Sequence, residues 1–254
     1  MKSISNLFVV PKKNSEASLR IFCFPYAGGS INAFYNWAEK CPRNIELVLV
    51  NPPGRGTRIA EPAHESMESL IEEIMRHSNY ITSKPFVFFG HSLGARVAFE
   101  LSCKLFAKSL PLPNALIASA SGAPHIQRTH STTYNLPDNE FIRSLMELNG
   151  TPQEVIENAE MMEIIMPMLR CDFKIAETYL ANEVQIPTHI LVLNGQEDLD
   201  ITEQQLEAWQ NISKYKIQRK SIQGDHFFIL HSPYKVLEVI LNYLEKPLDT
   251  LKCV

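Results

Sequence analysis

The chain has no long hydrophobic run, no clustered cysteines and no excess of basic charge. No segment approaches the roughly 20 apolar residues that span a bilayer, and residues 1–8 lack the apolar core of a signal peptide. The five cysteines are odd in number and show no Cys-x-x-Cys spacing, so neither a disulfide framework nor a zinc site is indicated. With 24 basic and 28 acidic residues, nucleic acid is a poor partner. We expect a soluble, reduced, cytoplasmic protein.

What is present is an alternation of apolar strands and helical segments over 254 residues that are 45% hydrophobic. Continuous apolar runs, rather than alternating ones, favour strands that are covered on both faces, as in a parallel sheet. The predicted strands are residues 19–24, 45–50, 86–89, 115–120, 189–193 and 215–222. The predicted helices between and after them are 33–41, 66–81, 93–107, 202–212 and 233–244. This order predicts an α/β fold with a mostly parallel central sheet flanked by helices.

One region interrupts the alternation, since residues 124–186 show helical patterns and no convincing strand. The predicted helices are 138–148, 152–161 and 162–180. We interpret this region as an inserted helical lid, with residues 1–123 and 187–254 forming the core. The region also holds five of the eight methionines, namely Met146, Met161, Met162, Met166 and Met168. Because methionine is flexible, these side chains either line an adaptable apolar pocket or fill gaps between lid helices.

The most specific chemical signal is Gly-x-Ser-x-Gly at Gly90–Gly94, between the strand 86–89 and a predicted helix. A turn this tight strains its central residue and needs glycines two positions to either side. It lifts the hydroxyl of Ser92 clear of the sheet at the positive end of the helix. The context therefore predicts that Ser92 is a nucleophile.

A serine hydroxyl needs a base, and in this architecture the acid and then the histidine follow the serine along the chain. His226 lies in a loop after the last predicted strand, at the sheet edge where α/β sites form. His231, five residues later, is the reserve candidate. His91 adjoins Ser92, but its position in the elbow is expected to turn it away from the hydroxyl.

Three carboxylates follow the strand 189–193 at the same sheet edge: Glu197, Asp198 and Asp200. We predict Asp198 as the acid, because the turn at Gly195 needs a few residues before a side chain can return over the sheet. Asp200 stays an alternative, although it could instead cap the helix predicted from residue 202.

A tetrahedral intermediate also needs backbone donors for its oxyanion. One is expected from the amide of Leu93, directly after the nucleophile. The loop of residues 25–30 follows the first predicted strand, and its glycines permit an exposed amide, which makes Ala27 the expected second donor. The loop lacks the Gly-Lys-Ser/Thr ending of a phosphate-binding P-loop.

With these residues in order, the sequence closely resembles the type II thioesterases of nonribosomal peptide and polyketide synthesis, in the α/β-hydrolase superfamily. The resemblance covers residues 19 to 245. It is carried by Phe24-Pro25-Tyr26-Ala27-Gly28-Gly29-Ser30, Pro53-Gly54-Arg55-Gly56-Thr57-Arg58, Gly90-His91-Ser92-Leu93-Gly94-Ala95, Pro167-Met168-Leu169-Arg170-Cys171-Asp172-Phe173, Gly195-Gln196-Glu197-Asp198 and Gly224-Asp225-His226-Phe227-Phe228. It implies Ser92, Asp198 and His226 as the triad, Ala27 and Leu93 as oxyanion donors, and a mobile lid.

The resemblance further implies an acyl thioester substrate on the phosphopantetheine arm of a carrier protein, with no cofactor or metal of the enzyme's own. Arg55 and Arg58 could contact the phosphate of that arm, but Arg55 is expected to tie loops together near the site. Cys171 stands where alanine is usual and is expected to affect lid packing. An acyltransferase or general esterase, and a non-catalytic binding protein of the same fold, stay open. A monomer is the default expectation.

Overall fold

The computed structural model describes residues 6–127, 131–148 and 150–245. Its seven-stranded sheet has the order β1-β3-β2-β4-β5-β6-β7, and β1 pairs antiparallel with β3 while the other pairings are parallel. The strands are β1 (Phe8–Val9), β2 (Leu19–Phe24), β3 (Ile45–Val50), β4 (Phe86–His91), β5 (Ala115–Ser119), β6 (His189–Gly195) and β7 (Gln218–Ile222). The predicted mostly parallel sheet is confirmed, and the short edge strand β1 was missed by the sequence analysis.

The helices of the described residues flank this sheet. They are α1 (Trp37–Lys40), α2 (Met67–Met75), α3 (Ser78–Ile81), α4 (Leu93–Ala107), α5 (Asp138–Leu148), α6 (Gln153–Ile156), α7 (Ala159–Thr178), α8 (Glu203–Glu207), α9 (Phe228–His231) and α10 (Pro233–Leu244). Short 3-10 segments occur at Ile31–Ala33, Gly56–Arg58 and Ala208–Ile212. This is the arrangement of the α/β-hydrolase fold that the sequence predicted.

Alternate residues of each central strand point into two separate cores, which explains why these strands read as continuous apolar runs. On β4, Phe86 and Phe88 pack in one core with α2, α4 and Trp209. Val87 and Phe89 pack in the other core with Trp37 and the helices α9 and α10.

The predicted helix over residues 152–161 is wrong in extent, because α6 ends at Ile156 and α7 begins at Ala159. The break is set by Asn158, whose side chain accepts a hydrogen bond from the backbone N–H of Met161 and caps α7. Helices α5, α6 and α7 lie between β5 and β6, where the lid was predicted, and its boundaries at 124 and 186 stay a prediction.

Sheet register brings the carboxyl ends of the central strands to one edge. Phe24 at the end of β2 pairs with Gly90 on β4, and His91 pairs with Ser119 on β5. At the far side, Gly195 of β6 pairs with Ile222 of β7. The segments that directly follow these strands carry every residue predicted for the site, with Leu93 as the first residue of α4.

Candidate active site

Ser92 occupies the strained turn between β4 and α4, with φ of 53° and ψ of −114°. A Cβ atom on Gly90 would overlap the backbone of Gly94, and one on Gly94 would overlap the carbonyl oxygen of Phe24. The backbone N–H of Ser92 donates to the carbonyl of Ser119 at 2.8 Å. Both glycines are therefore required by close backbone approach, as the motif predicted.

The structure brings Ser92, His226 and Asp198 into one hydrogen-bonded line. Nε2 of His226 lies 3.0 Å from Oγ of Ser92, and Nδ1 lies 2.8 Å from Oδ2 of Asp198. The side chain of Asp198 is 1% exposed and that of His226 is 18% exposed. Nucleophile, base and orienting carboxylate thus have the geometry that serine-based acyl transfer requires.

The two alternative residues are not part of this hydrogen-bonded line, although the carboxylate of Asp200 lies near Asp198 and His226 and Asp200 lines the same cavity as Ser92. His231 is exposed at the end of α9, and Asp200 is exposed in the loop before α8. Asp200 does not cap α8 as suggested, because Thr202 holds that position and forms a capping box with Gln205. The backbone N–H of Asp200 instead donates to Oδ1 of Asp198 at 3.1 Å, which helps to orient the buried carboxylate.

The loops that carry Asp198 and His226 are bonded to each other. The N–H of Gln196 donates to the carbonyl of Ile222 at 2.8 Å, and that of Glu197 donates to Gly224 at 3.0 Å. A Cβ on Gly195 would overlap the backbone of the facing loop, so a glycine permits this approach. The distance between acid and base is consequently fixed by backbone contacts.

His91 turns away from the Ser92 hydroxyl, as predicted, but it contacts the backbone of His226, a role that the sequence analysis did not predict. It is fully buried, and its Nε2 lies 2.9 Å from the backbone carbonyl of His226 while its Nδ1 lies 3.0 Å from Oγ of Ser119. A carbonyl only accepts, so Nε2 carries the proton and Nδ1 accepts from the hydroxyl of Ser119. Burial lowers the pKa of His91 well below its usual value, with the nearby His226 acting in the same direction.

Ala27 and Leu93, each with a backbone amide, line the same cavity as Ser92. Within the part of the chain that the structure describes, neither amide donates a hydrogen bond to another group. Leu93 is the first residue of α4, so its N–H has no partner in the helix. Two backbone donors without partners, in residues that line the cavity of the nucleophile, fit the predicted oxyanion site.

The cavity has a volume of about 110 Å³ and is lined on the lid side by Leu148, Phe173 and Ala176. The alternative that the lid methionines line this cavity is wrong for the described residues. Met162 and Met168 are buried in a separate apolar cluster within the lid, with Met166 packed against it, whereas Met146 and Met161 are exposed.

Arg55 and Arg58 are both buried and engaged internally. Arg55 forms two hydrogen bonds with the carboxylate of Asp172 and one with the carbonyl of Gly29, which agrees with its expected role of tying loops together. Arg58 bonds the carbonyl of Asn51 and pairs with Glu61 and Glu73. These internal bonds favour a structural role for both arginines over a contact with a substrate phosphate.

Among the described residues, one group has the spacing of metal ligands: Asp198, Asp200 and His226. Both ring nitrogens of His226 are already engaged, Nδ1 with Asp198 and Nε2 with Ser92. The hydrogen bonds of the triad therefore account for Asp198 and His226, and the exposed carboxylate of Asp200 lies beside them.

The comparisons with known proteins agree with this chemistry. Residues 19–244 match the family model of the thioesterase domain. The chain is 37% identical over 245 residues to the gramicidin S biosynthesis protein GrsT of Aneurinibacillus migulanus, covering 96% of each chain. It superposes on the type II thioesterase BorB from the borrelidin biosynthetic cluster with a TM-score of 0.85 at 28% identity, covering 94% and 98% of the two chains.

A second solved structure, ClbQ from the colibactin NRPS/PKS pathway, gives a TM-score of 0.84 at 29% identity over 90% of this chain and 98% of that one. The chain belongs to the thioesterase family, and the protein is a thioesterase with the α/β-hydrolase fold. No helix in the described ranges is long and apolar enough to cross a membrane.

Proposed function

We propose that this thioesterase is a type II, editing enzyme of nonribosomal peptide or polyketide biosynthesis. Its substrates are acyl groups held as thioesters on the phosphopantetheine arm of carrier-protein domains. The relatives GrsT, BorB and ClbQ are named for such pathways, and the chain matches each of them over nearly its whole length. The observation that carries the proposal is the hydrogen-bonded line from Ser92 through His226 to Asp198 in a chain of this family.

In the acylation step, His226 takes the proton of Ser92 as Oγ attacks the thioester carbonyl. The carbon–oxygen π electrons move to the oxygen, which accepts hydrogen bonds from the amides of Leu93 and Ala27. As the tetrahedral intermediate collapses, the carbon–sulfur bond breaks, and His226 returns its proton to the departing pantetheine thiol. The product is an acyl ester on Ser92.

In the deacylation step, a water molecule replaces the thiol. His226 removes a proton from the water, which attacks the ester carbonyl, and the same amides hold the second oxyanion. Ser92 leaves and regains its proton from His226, releasing the carboxylic acid. Asp198 holds the ring of His226 throughout and stabilises its protonated form.

Two further parts of the proposal follow from the same chemistry. No cofactor or metal is required, because the triad and the two amides supply every group in the two steps. The partner is a carrier-protein domain, since the arm that delivers the acyl group is attached to it. The cytoplasmic location and the monomeric state stay predictions.

The test is the release of acyl groups from a panel of acylated carrier proteins. Because the triad acts as a unit, Ser92→Ala should lower kcat by about three orders of magnitude or more. Unchanged hydrolysis in this variant would refute the assignment of the nucleophile. Faster cleavage of an oxygen ester than of the thioester with the same acyl chain would favour a general esterase. Failure of a fluorophosphonate to label Ser92 would favour a non-catalytic binding protein.

A further inference from the structure

Asp172 connects the lid to the oxyanion loop, defined here as residues 25–30. It lies on the lid helix α7, and its side chain is buried. Its Oδ2 accepts from the backbone N–H of Gly28 at 2.8 Å and from Nη1 of Arg55 at 2.6 Å, while Oδ1 accepts from Nη2 of Arg55 at 2.8 Å. One carboxylate therefore joins the lid, the oxyanion loop and the loop that carries Arg55.

The neighbouring side chains of α7 close the same junction by packing. A Cβ on Gly28 would lie 2.6 Å from Cδ2 of Leu169, and one on Gly54 would lie 2.9 Å from Cγ of Met168. Both glycines have positive φ, 75° and 82°. A single turn of α7 thus packs directly against both loops, so that a side chain on either glycine would displace Leu169 or Met168.

These contacts fix the peptide units around Ala27. The N–H of Gly28 is held by Asp172, the N–H of Gly29 donates to the carbonyl of Tyr26 at 2.8 Å, and the carbonyl of Gly29 accepts from Arg55 at 2.9 Å. The amide of Ala27 itself donates no hydrogen bond within the described residues, and Ala27 lines the cavity. Its direction follows from the anchoring of Gly28 and Gly29.

We propose that Asp172, supported by Arg55, is a positioning residue that sets the oxyanion hole through the N–H of Gly28. The proposal rests on the proposed function in one respect, the role of Ala27 as an oxyanion donor. It makes this turn of α7 a part of the catalytic site, so the oxyanion hole is complete only when the lid helix is docked on the core. Transition-state stabilisation, rather than substrate binding, is the property that depends on this contact.

The experiment compares three variants with the wild type, using a soluble acyl thioester as substrate. Asp172→Ala removes the acceptor of Gly28 and leaves Arg55 buried without its partner. The double variant Arg55→Met/Asp172→Leu removes both charges together, and such apolar replacements of a buried ion pair preserve folding in other proteins. Lys174→Gln is the matched control, because it breaks an exposed 2.9 Å ion pair between the same helix and Glu65.

A second readout isolates the oxyanion hole. An alkyl trifluoromethyl ketone adds to Ser92 through a new Oγ–carbon bond, its carbonyl electrons move to oxygen, and the serine proton passes to His226. The resulting hemiketal oxygen occupies the place of the oxyanion, so its binding constant reports on those donors without turnover. The reduced, non-electrophilic alcohol of the same ketone measures ground-state binding.

We expect Asp172→Ala and the double variant to lower kcat by about ten- to a hundredfold with KM within about threefold, because small displacements of a catalytic donor have effects of this size. Ketone affinity should fall by the same factor, alcohol affinity should stay constant, and Lys174→Gln should match the wild type. A folded double variant with wild-type kcat and ketone affinity would overturn the proposal. So would a fall in kcat without a fall in ketone affinity, or an equal loss in Lys174→Gln.

Failure of the proposed function gives a different result. It is detected when the wild type does not release acyl groups from carriers or when Ser92→Ala retains activity. The positioning role is judged only from the ratios between the Asp172 variants and an active wild type.

Discussion

The nucleophile elbow and the oxyanion loop lie at the ends of neighbouring strands, yet they are held in different ways. The elbow is fixed by the core of the fold, through the packing of Gly90 against Gly94 and the hydrogen bond from Ser92 to Ser119. The oxyanion loop is fixed by a carboxylate 144 residues further along the chain, on a lid helix. The position of the nucleophile is thus set by the sheet, while the proposed positioning role of Asp172 makes the position of the Ala27 amide depend on lid packing.

The largest difference between the two regions should appear when their glycines are replaced. Gly94→Ala places a Cβ against the backbone of Phe24, which cannot move within the sheet, and should cost about 4 kcal/mol or more of stability. Gly28→Ala meets only the end of the Leu169 side chain and mainly suffers from its positive φ, at a cost of about 1–2 kcal/mol. Chemical denaturation of both variants measures the difference, and equal losses would contradict this comparison.

The elbow should also respond to pH through His91, whereas the oxyanion loop is held by an ion pair. Because burial lowers the pKa of His91, the unfolded chain binds more protons than the folded one below about pH 6.5. The contribution of His91 to the free energy of unfolding is therefore fully present above that pH. It is lost as the pH falls, by up to about 1.4 kcal/mol per pH unit. His91→Gln keeps a donor for the backbone carbonyl of His226 but does not titrate. Denaturation curves recorded between pH 7.5 and 5.5 should therefore show that the free energy of unfolding of this variant changes less steeply with pH than that of the wild type. An unchanged slope would show that His91 is not the group involved.

The smallest effect is expected from Cys171, the direct neighbour of Asp172 on α7. Burial raises the pKa of its partly exposed thiol, so the group stays protonated and behaves as a small apolar side chain. Cys171→Ala should change the free energy of unfolding by about 0.5 kcal/mol at most and leave kcat unchanged. A clear fall in kcat would mean that docking of this helix depends on general packing of the turn and not on the carboxylate.

The contrast between the two loops also explains what the sequence could predict. The elbow depends on residues within five positions of one another, and its spacing is readable directly from the chain. Asp198 and His226 were predictable for a related reason, since each follows a recognisable strand and their order is set by the architecture. The α/β arrangement followed from apolar runs that proved to be buried on both faces.

The contact of Asp172 with Gly28 and the contact of His91 with His226 could not be predicted in the same way. Both join segments more than 130 residues apart, and both depend on side-chain direction. The spacing of apolar residues along the chain does not indicate such a contact. The prediction of a methionine-lined pocket was wrong for the same reason, because composition placed these residues in the lid without showing which ones face the cavity.

The shared carboxylate has a practical consequence for building chimeric enzymes. An exchange of the whole predicted lid, residues 124–186, would remove Asp172 while leaving Arg55 behind as an unpaired buried cation. A graft that ends at Pro167, the proline inside α7, would carry over α5, α6 and the exposed first turns of that helix while keeping the native junction. Such a graft would allow acyl-chain preference to be altered without changing Asp172 and Arg55, which hold the oxyanion loop.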